Sequence, residues 1–188
     1  MLNVNSGSPI TFRQLTTSDM NAVQQLSDSI LPGHYPPSTK YFHTILSHQE
    51  TFFAAGIFVD NRFLAAFFIV VPDYFGPRNM FLCATQFEDQ LSTLYGNKIA
   101  YISTFGVAKN FQRRQFGSFL MTQLLKYLTI SSEANAVYLH VRTSNDPAIA
   151  FYRRHNFTIR HFVRRYYHNC RLNETPDAYI MIPLNFIQ

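Results

Sequence analysis

The sequence has no tryptophan and only two cysteines, Cys83 and Cys170, among 188 residues. Two thiols cannot build a disulfide framework or a thiolate metal cage, so a reducing compartment is the simpler reading. The seven histidines form no His-x-x-x-His pair, and the cysteines form no Cys-x-x-Cys pair, so no metal is expected. Charge is sparse. Asp, Glu, Lys and Arg make up 14% of the chain against 47% hydrophobic residues, which excludes a disordered solvating chain and leaves ample material for a core. Long apolar runs are missing as well. The longest, Phe63–Val71, has nine residues, whereas a membrane-spanning helix needs about 20. The first residues, MLNVNSGSP, lack the basic start and apolar run of a secretory signal. These absences leave a soluble protein: a loose lead-in over residues 1–10, then one domain over residues 11–188.

What is present is aromatic and unevenly charged. There are 19 Phe and 11 Tyr. Residues 1–108 carry a net charge of −2 and residues 109–188 a net charge of +7. A basic C-terminal part suits an anionic ligand, and it also suits a plain solvated face. Val23, Leu26 and Ile30 predict a helix over 18–30 with Ser18 as its N-cap. LPGHYPPS then breaks the chain, and a second helix is expected over 39–47. Thr51–Val59 and Phe63–Val71 flank Asp60-Asn61-Arg62 and predict a hairpin. Residues 72–98 form a long connection, with a short helix expected over Gln86–Tyr95. Beyond it the patterns predict a strand at Ile99–Val107 and a helix at Gly117–Ile130 with Leu120, Leu124, Leu125 and Leu128 on one stripe. A strand follows at Ala136–Arg142, and a helix at Pro147–Arg154 with Pro in its first turn. Two last strands are expected at Phe157–Tyr167 and Ala178–Leu184. This order indicates an α/β (α+β) fold with a mixed, mostly antiparallel sheet flanked by helices. The unit at 99–142 should be a right-handed crossover.

The stretch YISTFGVAKNFQRRQFGS, Tyr101–Ser118, is the most informative. A strand ends, a basic loop follows, and a helix opens at Gly117. Backbone N–H groups at a helix N-terminus favour phosphate, and Arg113 and Arg114 add positive charge there. A basic strand-to-helix turn without a ligand would read the same way. QRRQFG resembles the pyrophosphate loop, R/Q-x-x-G-x-G/A, of the GNAT acyl-CoA-dependent N-acetyltransferases. The likeness continues through YLHVRTSNDPAIAFYRRHNF, Tyr138–Phe157, and RRYYHN, Arg164–Asn169. Within that family the chain is most similar to the protein N-terminal acetyltransferases of NatF type, with NatE type next. The resemblance covers about residues 10–185. Gln115 stands where the loop's first glycine is expected, and His34 stands where the NatF likeness predicts an acidic residue.

The resemblance implies a single GNAT domain that uses acetyl-CoA to acetylate the α-amine of protein N-termini. The preferred termini would be Met-hydrophobic and Met-Lys. It puts the catalytic tyrosine and histidine at Tyr101 and His140. The chemistry explains the pair: a neutral amine must attack a thioester, and a histidine with an ordinary pKa near about 6.5 is suited to act as general base through a water. Tyr101 would relay that proton or donate to the leaving thiolate. Phe105, Gly106 and Val107 would bond the pantetheine arm, with the Val107 N–H on the acetyl carbonyl. Arg113, Arg114, Gln115, Phe116, Gly117 and Ser118 would cradle the pyrophosphate. Asn145 and Tyr152 would lie near the sulfur. Leu31, Pro32, Gly33 and Tyr35, with Tyr166 and Tyr167, would grip the peptide. The same likeness implies a cytoplasmic protein, held on the cytosolic face of an organelle membrane if a C-terminal anchor was removed. It leaves room for a homodimer.

Three other readings stand beside this one. His140 and Tyr101 can be core residues of a buried strand. The same fold can acetylate lysine or a small amine. Finally, Phe151–His168 interleaves five Arg, six aromatics and three His, which suits nucleic acid or a ribosome surface.

Overall fold

The computed structural model describes residues 9–31, 38–72, 91, 93, 98–130, 134–167 and 175–184. The chain divides into two compact units, Met1–Val70 with Thr104–Tyr127, and Val71–Ser103 with Leu128–Gln188.

The first unit starts with β1 (Ile10–Gln14), which pairs antiparallel with β2 (Phe53–Val59), and β2 pairs antiparallel with β3 (Phe63–Pro72). Sequence patterning does not predict β1. Its start falls in the expected lead-in, and its residues are only half-buried or exposed. The β2–β3 turn is tight because Asp60 and Asn61 both adopt left-handed backbone, φ 55° and 51°, which Asp and Asn tolerate better than most residues.

Helix α1 (Met20–Ile30) begins after a short 3-10 turn at Thr17–Asp19. The residue that opens this segment is Thr16, not Ser18. Asp19 accepts the Thr16 N–H at 2.9 Å and holds Arg13 through two bonds of 2.7 Å. Helix α2 (Thr39–Ser47) has the predicted bounds, and Ser38 Oγ accepts the Tyr41 N–H at 3.2 Å as its N-cap. Helix α3 (Phe116–Ile130) seals Phe116, Leu120, Met121, Leu124 and Leu128 from solvent. It packs on the sheet through Phe119 against Phe12, and through Tyr127, stacked on Phe53 at 3.5 Å. Each fully buried aromatic or aliphatic side chain stabilises the fold by roughly 1.5–3 kcal/mol before entropy is counted.

The second unit is built on the first half of β4 (Ile99–Val107), whose second half belongs to the first unit. There β4 runs parallel to β5 (Ala136–Arg142). Strand β7 (Ala178–Pro183) lies antiparallel between β5 and β6 (Phe157–Val163). Helix α4 (Asp146–Arg154) joins β5 to β6 with its proline in the first turn. β6 ends at Val163, short of the expected Tyr167, because the chain turns at Arg164-Arg165 and Arg165 is left-handed at φ 55°. The register of β6 on β7 also shifts at a bulge between Ile159 and His161. Of the helix expected over 86–95, Leu91 and Thr93 are helical and the rest lies outside the described residues. Among the described residues no helix is long and apolar enough to cross a membrane.

Candidate active site

In the first unit, β4 ends in Phe105, Gly106 and Val107, all half-buried. Gly106 leaves room for an α1 side chain, which would have to shift if a larger residue stood there. A Cβ there would stand 1.9 Å from Ile30 Cδ1 of α1. The strand end is tied down by the Ala108 N–H, which donates to the Ala65 carbonyl at 2.8 Å, and by Gln112 Nε2, which donates to the Val107 carbonyl at 3.1 Å.

The loop that follows has an unusual backbone. Arg113 and Gln115 are both left-handed, φ 61° and 66°. Such turns aim successive N–H groups into a concavity that suits an anion. The Phe119 N–H donates to the Gln115 carbonyl at 3.0 Å, so the N–H groups of Phe116 and Gly117 lie in the first turn of α3, where the helix supplies no acceptor. Arg113, Arg114, Gln115 and Ser118 are exposed around that end. The Phe116 side chain is fully buried against Phe111, so this residue can offer only its backbone. These residues fit a pyrophosphate.

The left-handed Gln115 explains the glycine expected there. A non-glycine residue in that conformation costs roughly 1–2 kcal/mol, partly offset by the smaller entropy it loses on folding, about 0.4–1 kcal/mol. Gln115→Gly should therefore raise the melting temperature by about 2–4 °C in a thermal scan. A lowered melting temperature would mean that the Gln115 side chain makes a compensating contact.

The second unit gathers a different set. Alternation along β5 puts Tyr138, His140 and Arg142 on one face. Parallel register sets Tyr101 of β4 beside Tyr138. The rings of Tyr101 and Tyr138 are 4.9 Å apart, and both meet His140 edge-on, at 5.7 and 5.8 Å. Tyr166 closes the group. Its ring lies flat on His140 at 4.0 Å and 7°, and its hydroxyl is 3.3 Å from the Tyr101 hydroxyl. Tyr167 stands perpendicular to Tyr166, with the Arg142 guanidinium 4.6 Å from its ring centre.

Tyr101, Tyr138 and Tyr166 are buried. His140 keeps some surface, but both of its ring nitrogens are closed to solvent. Burial pushes its imidazole down to about 3, well below the ordinary range of a histidine. The ring is therefore neutral at physiological pH. It can accept a hydrogen bond, but it is a weak base while the cluster stays closed.

Asn145 and Tyr152 have structural work in this unit. Asn145 Oδ1 accepts the Ala148 N–H at 3.3 Å as the N-cap of α4. Tyr152 is packed among Phe151 and Phe157, and its phenol is pushed up by burial and then by Tyr167. Leu31 ends α1, its N–H bonded to the Ser27 carbonyl at 2.9 Å. Pro32, Gly33, His34 and Tyr35 lie outside the described residues. Tyr138 and Arg142 are site residues beyond those expected from the sequence, although the alternation Tyr138-x-His140-x-Arg142 carries that signal. Among the described residues no group of three or more His, Cys, Asp or Glu could hold a metal ion.

The strand and helix order, with a basic left-handed loop opening α3, defines an acetyltransferase-type α/β fold. The family model for the acetyltransferase (GNAT) family matches residues 20–157, and the chain belongs to that family. It is 28% identical over 164 residues to the N-alpha-acetyltransferase 60 of Danio rerio, covering 85% of this chain and 64% of that protein. The chain thus spans a little under two thirds of that relative's length. It is 24% identical over 169 residues to an N-alpha-acetyltransferase of Sulfolobus acidocaldarius, covering 90% of this chain and 89% of that one. The crystal structure of Arabidopsis thaliana NAA60 in complex with a bisubstrate analogue superposes with a TM-score of 0.70 at 21% identity, covering 93% of this chain and 98% of that one. That likeness speaks for the fold.

Proposed function

We propose that the protein transfers the acetyl group of acetyl-CoA to the α-amine of protein N-termini, in a direct ternary complex. The observation that carries this reading is the Tyr101–His140–Tyr166 cluster, in which Tyr101 and His140 sit on adjacent parallel strands and Tyr166 on the turn after β6, in a chain of the GNAT family. The similarity to N-alpha-acetyltransferases supports the α-amine as acceptor.

Acetyl-CoA supplies the thioester. The neutral amine nitrogen bonds to its carbonyl carbon, the carbon–sulfur bond breaks, and the proton that the nitrogen sheds ends on the leaving thiolate, giving the amide and free CoA thiol. The left-handed loop and the first turn of α3 would hold the pyrophosphate, with Arg113 and Arg114 beside it. The Val107 N–H would steady the acetyl oxygen. His140, neutral, accepts a hydrogen bond from the amine or from a water on it. Tyr101 donates towards the leaving sulfur.

We further propose substrates that keep their initiator Met, followed by a hydrophobic residue or Lys. We place the protein in the cytoplasm, alone or as a homodimer, and on the cytosolic face of a membrane where an anchor is present. Cell fractionation and sedimentation decide those points.

Binding of acetyl-CoA is the direct test. At a concentration about 100 times the dissociation constant, a ligand held only by the folded state adds about 2.7 kcal/mol. For a chain of this size that raises the melting temperature by about 5–10 °C. No shift at millimolar acetyl-CoA would overturn the reading.

A further inference from the structure

We propose that Tyr166 is a positioning residue of the acetyl-transfer centre: its ring holds the His140 imidazole flat, and its hydroxyl fixes the Tyr101 hydroxyl. The inference rests on the function proposed above and departs from the peptide-gripping role that the family resemblance implies for this residue. A side chain that grips a substrate must offer it surface. Tyr166 is 5% exposed. Its ring face is spent on His140 at 4.0 Å, and its hydroxyl lies 3.3 Å from that of Tyr101.

The placement is built into the backbone. The Arg165 N–H donates to Asp177 Oδ1 at 2.8 Å, and the Tyr167 N–H donates to the Pro176 carbonyl at 2.8 Å. These bonds hold the residues on either side of Tyr166 and so fix the backbone from which its ring reaches His140. The chemical benefit is orientation. A parallel stack limits rotation of the imidazole, so the ring nitrogens keep fixed directions. When the Tyr166 hydroxyl donates to Tyr101, the Tyr101 proton must point elsewhere, and accepting that bond makes Tyr101 a better donor. Tyr167 packs edge-on against Tyr166 at 4.9 Å. Its own ring face meets the Arg142 guanidinium.

The test uses the whole chain with a Met-Leu peptide and acetyl-CoA, comparing Tyr166→Phe with Tyr166→Leu. Tyr166→Phe keeps the stack and loses the hydroxyl. Its kcat should fall about 10-fold, with the peptide KM changed by less than about twofold. Tyr166→Leu loses both contacts, and its kcat should fall about 10²-fold. A raised peptide KM with an intact kcat would make Tyr166 a peptide-gripping residue and overturn the proposal. So would kcat values equal to wild type in both variants.

A second readout needs no activity. The His140 ring, followed by NMR, should titrate higher in Tyr166→Leu by a pH unit or more and stay unmoved in Tyr166→Phe. If Tyr166→Leu fails to fold, Tyr166→Met replaces it. If the wild type acetylates no peptide, the proposed function has failed by itself. The titration then decides on Tyr166 alone, and an unmoved His140 in the Leu variant would overturn its positioning role.

Discussion

Tyr101→Phe and His140→Ala should each lower turnover by about 10²-fold near pH 7.5, measured with a free N-terminal peptide. Tyr101→Phe is the cleaner variant. It keeps the ring packed on Tyr138 and removes only the hydroxyl that lies 3.3 Å from Tyr166. A residue that served packing alone would leave turnover almost unchanged. His140→Ala leaves a hole beneath Tyr166, so its melting curve is needed before its activity is read. Both variants should still bind acetyl-CoA, since neither residue belongs to the loop at 113–118. The pH profile is the sharper part of this test. An imidazole pushed down to about 3 does not titrate near neutrality. The wild-type kcat/KM should therefore rise through the amine's own range, about 7.7–8.0, with no inflection near about 6.5. An inflection there would mean that the bound substrate brings water to the ring and restores its ordinary basicity. Because a ring this weakly basic does not deprotonate the ammonium, the losses in both variants should stay about the same from pH 7.5 to pH 9, the amine's neutral fraction rising equally in all three proteins. Full turnover by both folded variants at pH 7 would remove the pair from the mechanism.

The parts of the fold that were legible in the sequence are those that local pattern controls. Thr39–Ser47, Ile99–Val107 and Ala136–Arg142 have the bounds their residues predict. Each is a run of aromatic or branched side chains with one strong period, and α2 adds a serine cap. β1 was not legible. ITFRQ is short and half-polar, and it becomes a strand because Ile10 finds Val59 and Phe12 finds Ile57, partners far along the chain. Ser18 looked like a helix cap because it precedes the apolar stripe. The 3-10 turn moves that start to Thr16, and the Arg13–Asp19 pair that steadies it is a tertiary fact.

The same division runs through the site. Tyr101 and His140 can be found from a strand pattern together with a family likeness. The position of Tyr166 cannot, because the turn that carries it is held by Pro176 and Asp177, beyond the residues that follow it directly. His140's depressed basicity is also a product of burial, and no local pattern reports that. Gln115 lies between these cases. Its replacement of a glycine is visible in the sequence, and the left-handed backbone that makes the replacement costly is visible only in the fold.

The largest selectivity should be for the kind of amine. A peptide with a blocked α-amine and a free lysine should react about 10²-fold more slowly near pH 7.5 than its free N-terminal counterpart. Intrinsic acidity alone supplies that ratio. An α-amine of pKa about 7.7–8.0 is roughly a quarter to two-fifths neutral at that pH, and a lysine of pKa about 10.4 is roughly a thousandth neutral. A site whose histidine is neutral and only weakly basic does little to close this gap, because taking a proton from an ammonium needs a base of comparable pKa. The gap should therefore narrow with pH, to about 10-fold near pH 9.5, where about a tenth of the lysine is neutral. Mass spectrometry of the two peptides at both pH values reads this directly. A ratio that stays at about 10² as the pH rises would mean that the peptide-binding residues reject lysine by shape. Equal rates at pH 7.5 would mean that the centre deprotonates lysine itself. The protein would then be a lysine acetyltransferase, and the closed, weakly basic state of His140 would not be the one that reacts.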